Sequence, residues 1–362
     1  MASQPRVRDL HNEIHAVFRR KNFKNISDAE YDALRPTLQF ATLLLTTREL
    51  AGFPHAILVA PYKHVPHQDD ENLDEWAFQE KGSKLSNRDM AMYNLALTTL
   101  ADMVVFVASS KTRSKTEDLT IHSGECGAER KTCCENTHLF HGSTILFSRD
   151  DIDALCHADA EQRYPWYSGE SGIKWRTFNI AKILCHELMH AMANARLGGC
   201  NNIPFGSNTT VETGYEWENY VFGGIVRESN FAYSGLDDDM SLMVRDWPAA
   251  SITRVYQHLN WAIEVREEPS SLEIWWWLLP VLQEWFDTLF TTEFWEKTVP
   301  EQGVSALRAP RIRGYRVKVA DDGNCALFDW DNCNDAYYGW PIPAGYEEDY
   351  NGEVVVVEET AE

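Results

Sequence analysis

Residues 177–197 contain neither Gly nor Pro, and Gly198 and Gly199 follow at once. Within that stretch Ile180, Leu184, Leu188, Ala191 and Ala195 recur at helical spacing and form one apolar stripe. The spacing predicts an amphipathic helix that buries its back and is stopped by the glycine pair. A helix of this kind needs a core to receive its stripe. With 44% hydrophobic and 12% aromatic residues among 362, the chain can build a sizeable one. The length suits one large domain or two ordinary ones.

The face opposite the stripe reads His186-Glu187-Leu188-Met189-His190. Two histidines four apart on a helix lie about 40° apart around its axis, so both imidazoles can reach one metal ion. Glu187 sits beside that face, placed to handle a proton rather than to ligate. The competing reading is a pair of core histidines bonded to backbone carbonyls. The predicted helix, with its apolar back and polar front, favours the metal. The expected cofactor is Zn2+ and the expected chemistry is hydrolysis.

Three protein ligands plus water are typical of a catalytic zinc site, so a third ligand must be found. After His190 the chain reads Ala191-Met192-Ala193-Asn194-Ala195-Arg196. A metzincin would carry a glycine at position 193 and a histidine at position 196, so that family is excluded. The Gly-Thr-x-Asp pattern of aspzincins is also missing. Further on come Val211-Glu212-Thr213-Gly214-Tyr215-Glu216-Trp217-Glu218 and then Phe222-Gly223-Gly224.

Over residues 177–224 the chain resembles the gluzincins, the thermolysin-like and aminopeptidase-like zinc peptidases. That resemblance implies a zincin metallopeptidase whose third ligand is a Glu some twenty residues past the second His. Glu212 lies 22 positions on (212 − 190). Glu216, four residues later, matches the acid that orients a zinc histidine in thermolysin-like enzymes. Glu218 is about 240° around a regular helix from Glu212. The Phe-Gly pair, however, sits six residues after Glu216, as it does after the thermolysin-like ligand. Metal ligands His186, His190 and Glu212 are therefore expected, with Glu216 and Glu218 as supporting or alternative ligands. The whole chain is also similar to uncharacterised fungal proteins that pair the two motifs, a likeness that brings no substrate with it.

The implied mechanism is attack of a zinc-activated water on a peptide carbonyl, with Glu187 as general base. Tyr215, Tyr220, Tyr233, Tyr337 and Tyr338 are all open as oxyanion donors. The run Ser143–Ser148 reads as a strand, and in zincins an edge strand there pairs with an extended peptide. Two other readings stand beside the peptidase: a zinc hydrolase of a non-peptide substrate, and a non-catalytic binding protein on a zincin fold.

A net charge of −22 argues against nucleic acid and anionic membranes and leaves a peptide or protein as the expected partner. Oligomeric state is not legible. Residues 1–10 lack an apolar signal region, and the longest apolar run, 274–282, is too short to span a bilayer. A cytoplasmic protein is expected, although a secreted chain trimmed of its leader would look the same. The eight cysteines include no CxxC pair and do not suggest a disulfide scaffold. His122, Cys126, Cys133, Cys134, His138 and His141 cluster in sequence, but their spacing matches no structural zinc framework, and a loop with incidental thiols is the better reading.

The expected fold class is α+β, mainly helical, with a small mixed β-sheet in a zincin-like catalytic core around the helix of the His-Glu-x-x-His motif. Residues 1–139 read as a mostly helical part with a long loop near 111–131, residues 140–300 as the catalytic core, and residues 301–362 as an extended acidic tail. Ser27 with Glu30 predicts a capped helix start, Pro36 a kink, and Ser86 to Asp89 a second start leading through Met92, Leu95 and Leu100 to Val107. Residues 67–84 read as a loop. Trp275, Trp276, Trp277, Trp285 and Trp295 are expected in a helical setting, as core or cleft wall.

Overall fold

The computed structural model describes residues 10–61, 63–66, 74–77, 85–109, 120–121, 142–156, 169–197, 213–228, 242–245, 274–281, 283–309, 314–319, 325–331, 346–348 and 353–356. The chain divides into two compact units. The first comprises Met1–Asn208, Glu212–Trp217 and Asp287–Ala306; the second comprises Thr209–Val211, Glu218–Phe286 and Leu307–Glu362. The described residues are mainly helical with a small sheet in the first unit, an α+β arrangement.

In the first unit, Ser27 opens helix α1 (Asp28–Ala33). Its hydroxyl accepts from the Glu30 amide at 3.2 Å, while the Glu30 carboxylate accepts from the Ser27 amide at 2.6 Å. The capping box is therefore complete. Helix α2 (Arg35–Thr46) follows after Leu34, with Pro36 in its first turn, where a missing N–H costs nothing. Helix α3 (Gly52–Leu58) is wholly buried. Helix α4 (Asn87–Leu100) starts at the expected cap, Ser86 with Asp89. It ends earlier than expected, because the alternating, β-branched run Val104–Ser109 is a strand rather than a continuation. Its buried face is Tyr93, Ala96, Leu97 and Leu100, whereas Met92 and Leu95 are exposed.

Four strands form a mixed sheet in the order β1-β4-β6-β5: β1 (Phe23–Lys24), β4 (Val104–Ser109), β5 (Thr120–Ile121) and β6 (Ser143–Ser148). β4 runs parallel to both β1 and β6, and β5 is antiparallel to β6. In β4 and β6 alternate residues are buried, which fits a sheet with one face on a core. Phe106 stacks on Phe23 at 4.8 Å, and Phe147 meets Phe23 edge-on at 5.9 Å. The expected boundary at 139/140 thus falls between two strands of one sheet. β6 is also not an edge strand at Thr144 and Ile145, since both pair with β5. A separate antiparallel pair, β2 (Lys63–Pro66) with β3 (Asp74–Ala77), places a strand inside the segment read as loop.

Helix α5 (Arg149–Cys156) leads toward the dominant element, the 29-residue helix α6 (Gly169–Leu197). At 1.5 Å per residue it is about 43 Å long. It packs on α2, α3 and β6. Its first half meets an aromatic cluster in which Phe40 contacts Phe178, Phe290 and Trp295 at ring separations of 5.8, 5.1 and 5.7 Å. No helix among the described residues is long and apolar enough to cross a membrane.

The second unit holds a seven-stranded antiparallel sheet in the order β12-β13-β11-β10-β9-β8-β7. These strands are β7 (Ile225–Glu228), β8 (Leu242–Arg245), β9 (Ile274–Pro280), β10 (Gly314–Val319), β11 (Cys325–Asp331), β12 (Tyr346–Glu348) and β13 (Glu353–Val356). Trp275, Trp276 and Trp277 lie on β9, paired with β10, and not on a helix. Bulky aromatics favour a pleated sheet, and Pro280 closes the run. Where the acids of residues 301–362 suggest an extended tail, the chain contributes four strands. The valine run at 354–357 has the β-propensity to outweigh the local charge.

The Glu30 carboxyl is held below the usual glutamate range by the Ser27 amide first, and by Arg149 and the Ser27 hydroxyl besides. Its bonds thus stabilise the folded chain above the unfolded pKa and are lost as pH falls through the lower folded value. Ser27→Ala should cost about 1 kcal/mol in urea denaturation. The cost of Glu30→Gln should be full at neutral pH and shrink as the titration moves into the acid range. A cost independent of pH would remove the capping carboxylate from the account.

Candidate metal centre

Helix α6 is divided as its sequence requires. Ile180 is 2% exposed, and Leu184, Leu188, Ala191 and Ala195 are fully buried, whereas His186 and His190 are only partly covered. Side chains pin the helix along its length. Arg176 donates to the Ala154 carbonyl at 2.8 Å, and Lys174 pairs with Asp287 at 2.8 Å. The Cys185 thiol lies 3.6 Å from the Ala41 carbonyl, and burial raises its pKa. Near the C-terminus, Asn194 donates to the Ser143 hydroxyl at 2.8 Å and to the Gly142 carbonyl at 3.2 Å. Arg196 donates to the carbonyls of Ile57 and Ala60 at 2.7 and 2.8 Å. The histidines therefore project from a helix fixed on both sides of them.

The centres of the His186 and His190 rings are 5.3 Å apart, with their planes at 57°. Two imidazoles bound through nitrogen to one tetrahedral zinc have centres about 5.2 Å apart. The spacing fits a shared metal. Glu187 is 2% exposed, and its Oε1 lies 3.9 Å from His186 Nε2, beside the place such an ion would take. Among the described residues no group of three His, Cys, Asp or Glu side chains is gathered for a metal; they supply the two histidines and the neighbouring carboxylate.

A second helix, α7 (Thr213–Phe222), packs its first turn on His186. A Cβ added to Gly214 would fall 2.4, 2.4 and 2.5 Å from Cδ2, Nε2 and Cε1 of that ring. The near-equality of the three distances has a geometric meaning. A point in the ring plane ahead of Nε2 would be clearly nearer the nitrogen than the carbons, so this point lies above the plane. Gly214 therefore covers the flat face of the imidazole and not the in-plane lone pair that binds metal. The Tyr215 ring meets the same imidazole at 4.8 Å and 74°. Tyr215, one of the five candidate tyrosines, thus lies against a candidate ligand.

The glutamates fall as follows. Glu212 lies outside the described residues. Glu216 is 4% exposed on α7. Glu218 is 2% exposed, one turn past Gly214, in the part of α7 that belongs to the second unit. Gly223 has φ +75° and its amide donates to the Asn219 carbonyl at 2.9 Å, so the Phe-Gly-Gly sequence is a helix stop. Its distance from a glutamate reports the length of α7 and not which glutamate ligates. The clustered His122, Cys126, Cys133, Cys134, His138 and His141, together with Tyr233, Tyr337 and Tyr338, lie outside the described residues; Cys156 and Cys185 are free thiols.

Sequence reasoning passed over Gly214 and Asn194. The signal for the first was an isolated glycine inside a helical run, which marks a close backbone approach. For the second it was a third polar residue at i+8 on the histidine face.

In an ordinary helix Gly→Ala stabilises by up to about 1 kcal/mol. Here Gly214→Ala would put a methyl carbon inside the imidazole's contact distance and should destabilise by about 1–3 kcal/mol. In a His186→Ala background the ring is gone, and the same change should become stabilising. Urea denaturation of the four proteins of this cycle reads the reversal of sign; the same sign in both backgrounds would place α7 away from His186.

Comparison with family models, curated proteins and solved structures found no match for the chain.

Proposed function

We propose that this chain is a zinc-dependent metallopeptidase, with the metal held by His186, His190 and Glu212 and with Glu187 as general base. The observation that carries the reading is the pair of imidazoles 5.3 Å apart on a pinned helix, with a buried carboxylate 3.9 Å from one of them. Glu212 is preferred as third ligand for two reasons. It directly precedes the turn of α7 that covers His186, and the segment Glu212–Trp217 belongs to the same compact unit as the histidines. Glu216 and Glu218, both buried on α7, are the alternatives.

A zinc ion held by these residues would supply Lewis acidity toward water and toward a substrate carbonyl. Glu187 takes a proton from the attacking water and returns it to the leaving amide nitrogen. His186 and His190 would hold the ion through ring nitrogens, their ring positions set by the tethers of α6 and, for His186, by Gly214 and Tyr215. The zincin-like core is part of this proposal. β6 is not given the role of substrate-pairing strand, because part of it is already paired on both sides.

Metal analysis should find one zinc per chain, and a mixed peptide library should be cleaved by the zinc-loaded protein and spared after chelation. Glu187→Gln should keep its zinc and lose about 10²–10⁴-fold in turnover. Near-full hydrolysis by that variant would sink the base assignment. Cleavage of esters or lactams but not peptides would transfer the site to a non-peptide zinc hydrolase, and bound zinc with no hydrolysis at all would leave a binding protein. Among Glu212→Ala, Glu216→Ala and Glu218→Ala, the first alone should lose stoichiometric zinc.

A further inference from the structure

Four threonines in the body of a helix satisfy their hydroxyls on the preceding turn. Thr42 donates to the Leu38 carbonyl at 2.7 Å, Thr46 to Thr42 at 2.7 Å, Thr98 to Asn94 at 2.8 Å and Thr99 to Leu95 at 3.0 Å. Thr213 does not. It is the first residue of α7, it is 3% exposed, and its Oγ1 is buried with no hydrogen-bond partner among the described residues. A buried hydroxyl without a partner carries its full desolvation penalty and needs an explanation. Its position supplies one. Thr213 is one peptide unit, about 3.8 Å between Cα atoms, from Gly214, whose Cα packs on the face of His186. Its other chain neighbour is Glu212.

We propose that Thr213 is a positioning residue of the metal centre, with its hydroxyl donating to the oxygen ligands that assemble around the ion. The inference rests on the zinc reading above. With a metal held there, the Thr213 hydroxyl would donate to a carboxylate or water oxygen among its ligands and orient it. Groups that orient metal ligands in this way commonly change affinity by about 10–100-fold when removed. Thr37 is an internal control. It too is buried in a first helical turn with an unpartnered hydroxyl among the described residues, but on α2 and not beside Gly214 in the chain.

The test combines zinc affinity, by competition with a chromophoric chelator, with thermal unfolding of the metal-free protein. Thr213→Val keeps the shape and removes the orphan hydroxyl. It should raise the metal-free Tm by about 2–4 °C and at the same time weaken zinc binding by about 10–100-fold. Thr213→Ser restores a hydroxyl and should restore the wild-type affinity. Thr37→Val should raise Tm and leave affinity alone. Wild-type zinc affinity in Thr213→Val, or a lowered metal-free Tm, would overturn the inference while leaving the zinc site standing. A wild-type protein that binds no zinc would overturn both.

Discussion

Everything at the candidate site depends on one helix having two faces with incompatible needs. The stripe of α6 from Ile180 to Ala195 is buried to 2% exposure or less, and α6 packs on α2, α3 and β6, where apolar side chains are shielded from water. That demand fixes the rotation of the helix about its axis. The rotation in turn decides that His186 and His190 point away from the apolar core. The polar tethers at Arg176, Asn194 and Arg196 then remove the remaining freedom to slide or turn. Paired imidazoles can converge on one ion only if neither moves by more than a fraction of an ångström, and rigidity of this kind is a condition for a metal site.

Helix α7 solves a different problem. His186 must be held without covering the nitrogen that would ligate. A side chain at position 214 would collide with the ring, whereas a glycine lets the backbone lie flat on the imidazole face. Tyr215 adds an aromatic contact from a second direction. Glycine in a helix normally costs stability, so its presence here marks a place where close approach outweighs propensity. Such local conflicts between propensity and position concentrate at functional sites.

Some of this was legible before any coordinates. The histidine face, its buried back, both capping boxes and the strand Ser143–Ser148 follow from local rules, because caps and amphipathic periods involve residues only three or four apart. The readings that differ from the structure share one cause. Val104–Ser109 joined to a helix, the three tryptophans set on a helix and the acidic end left unpaired are all segments whose state is decided by strand partners far away in sequence. β4 needs β6 some forty residues on, β9 needs β10, and β13 needs β11 and β12. The same remoteness hid the sheet that spans the expected boundary near residue 139.

By itself, then, the amino-acid order determined a long two-faced helix, the pairing of His186 with His190 on one side of it, and a carboxylate between them. Those are properties of a 3.6-residue repeat and need no partner. Tertiary structure alone decided which surface covers His186, that Gly214 meets the ring on its flat face, and that the Thr213 hydroxyl is buried without an acceptor among the described residues. Each of these depends on how two helices separated by a long connection come to rest on one another, and no local period encodes that distance.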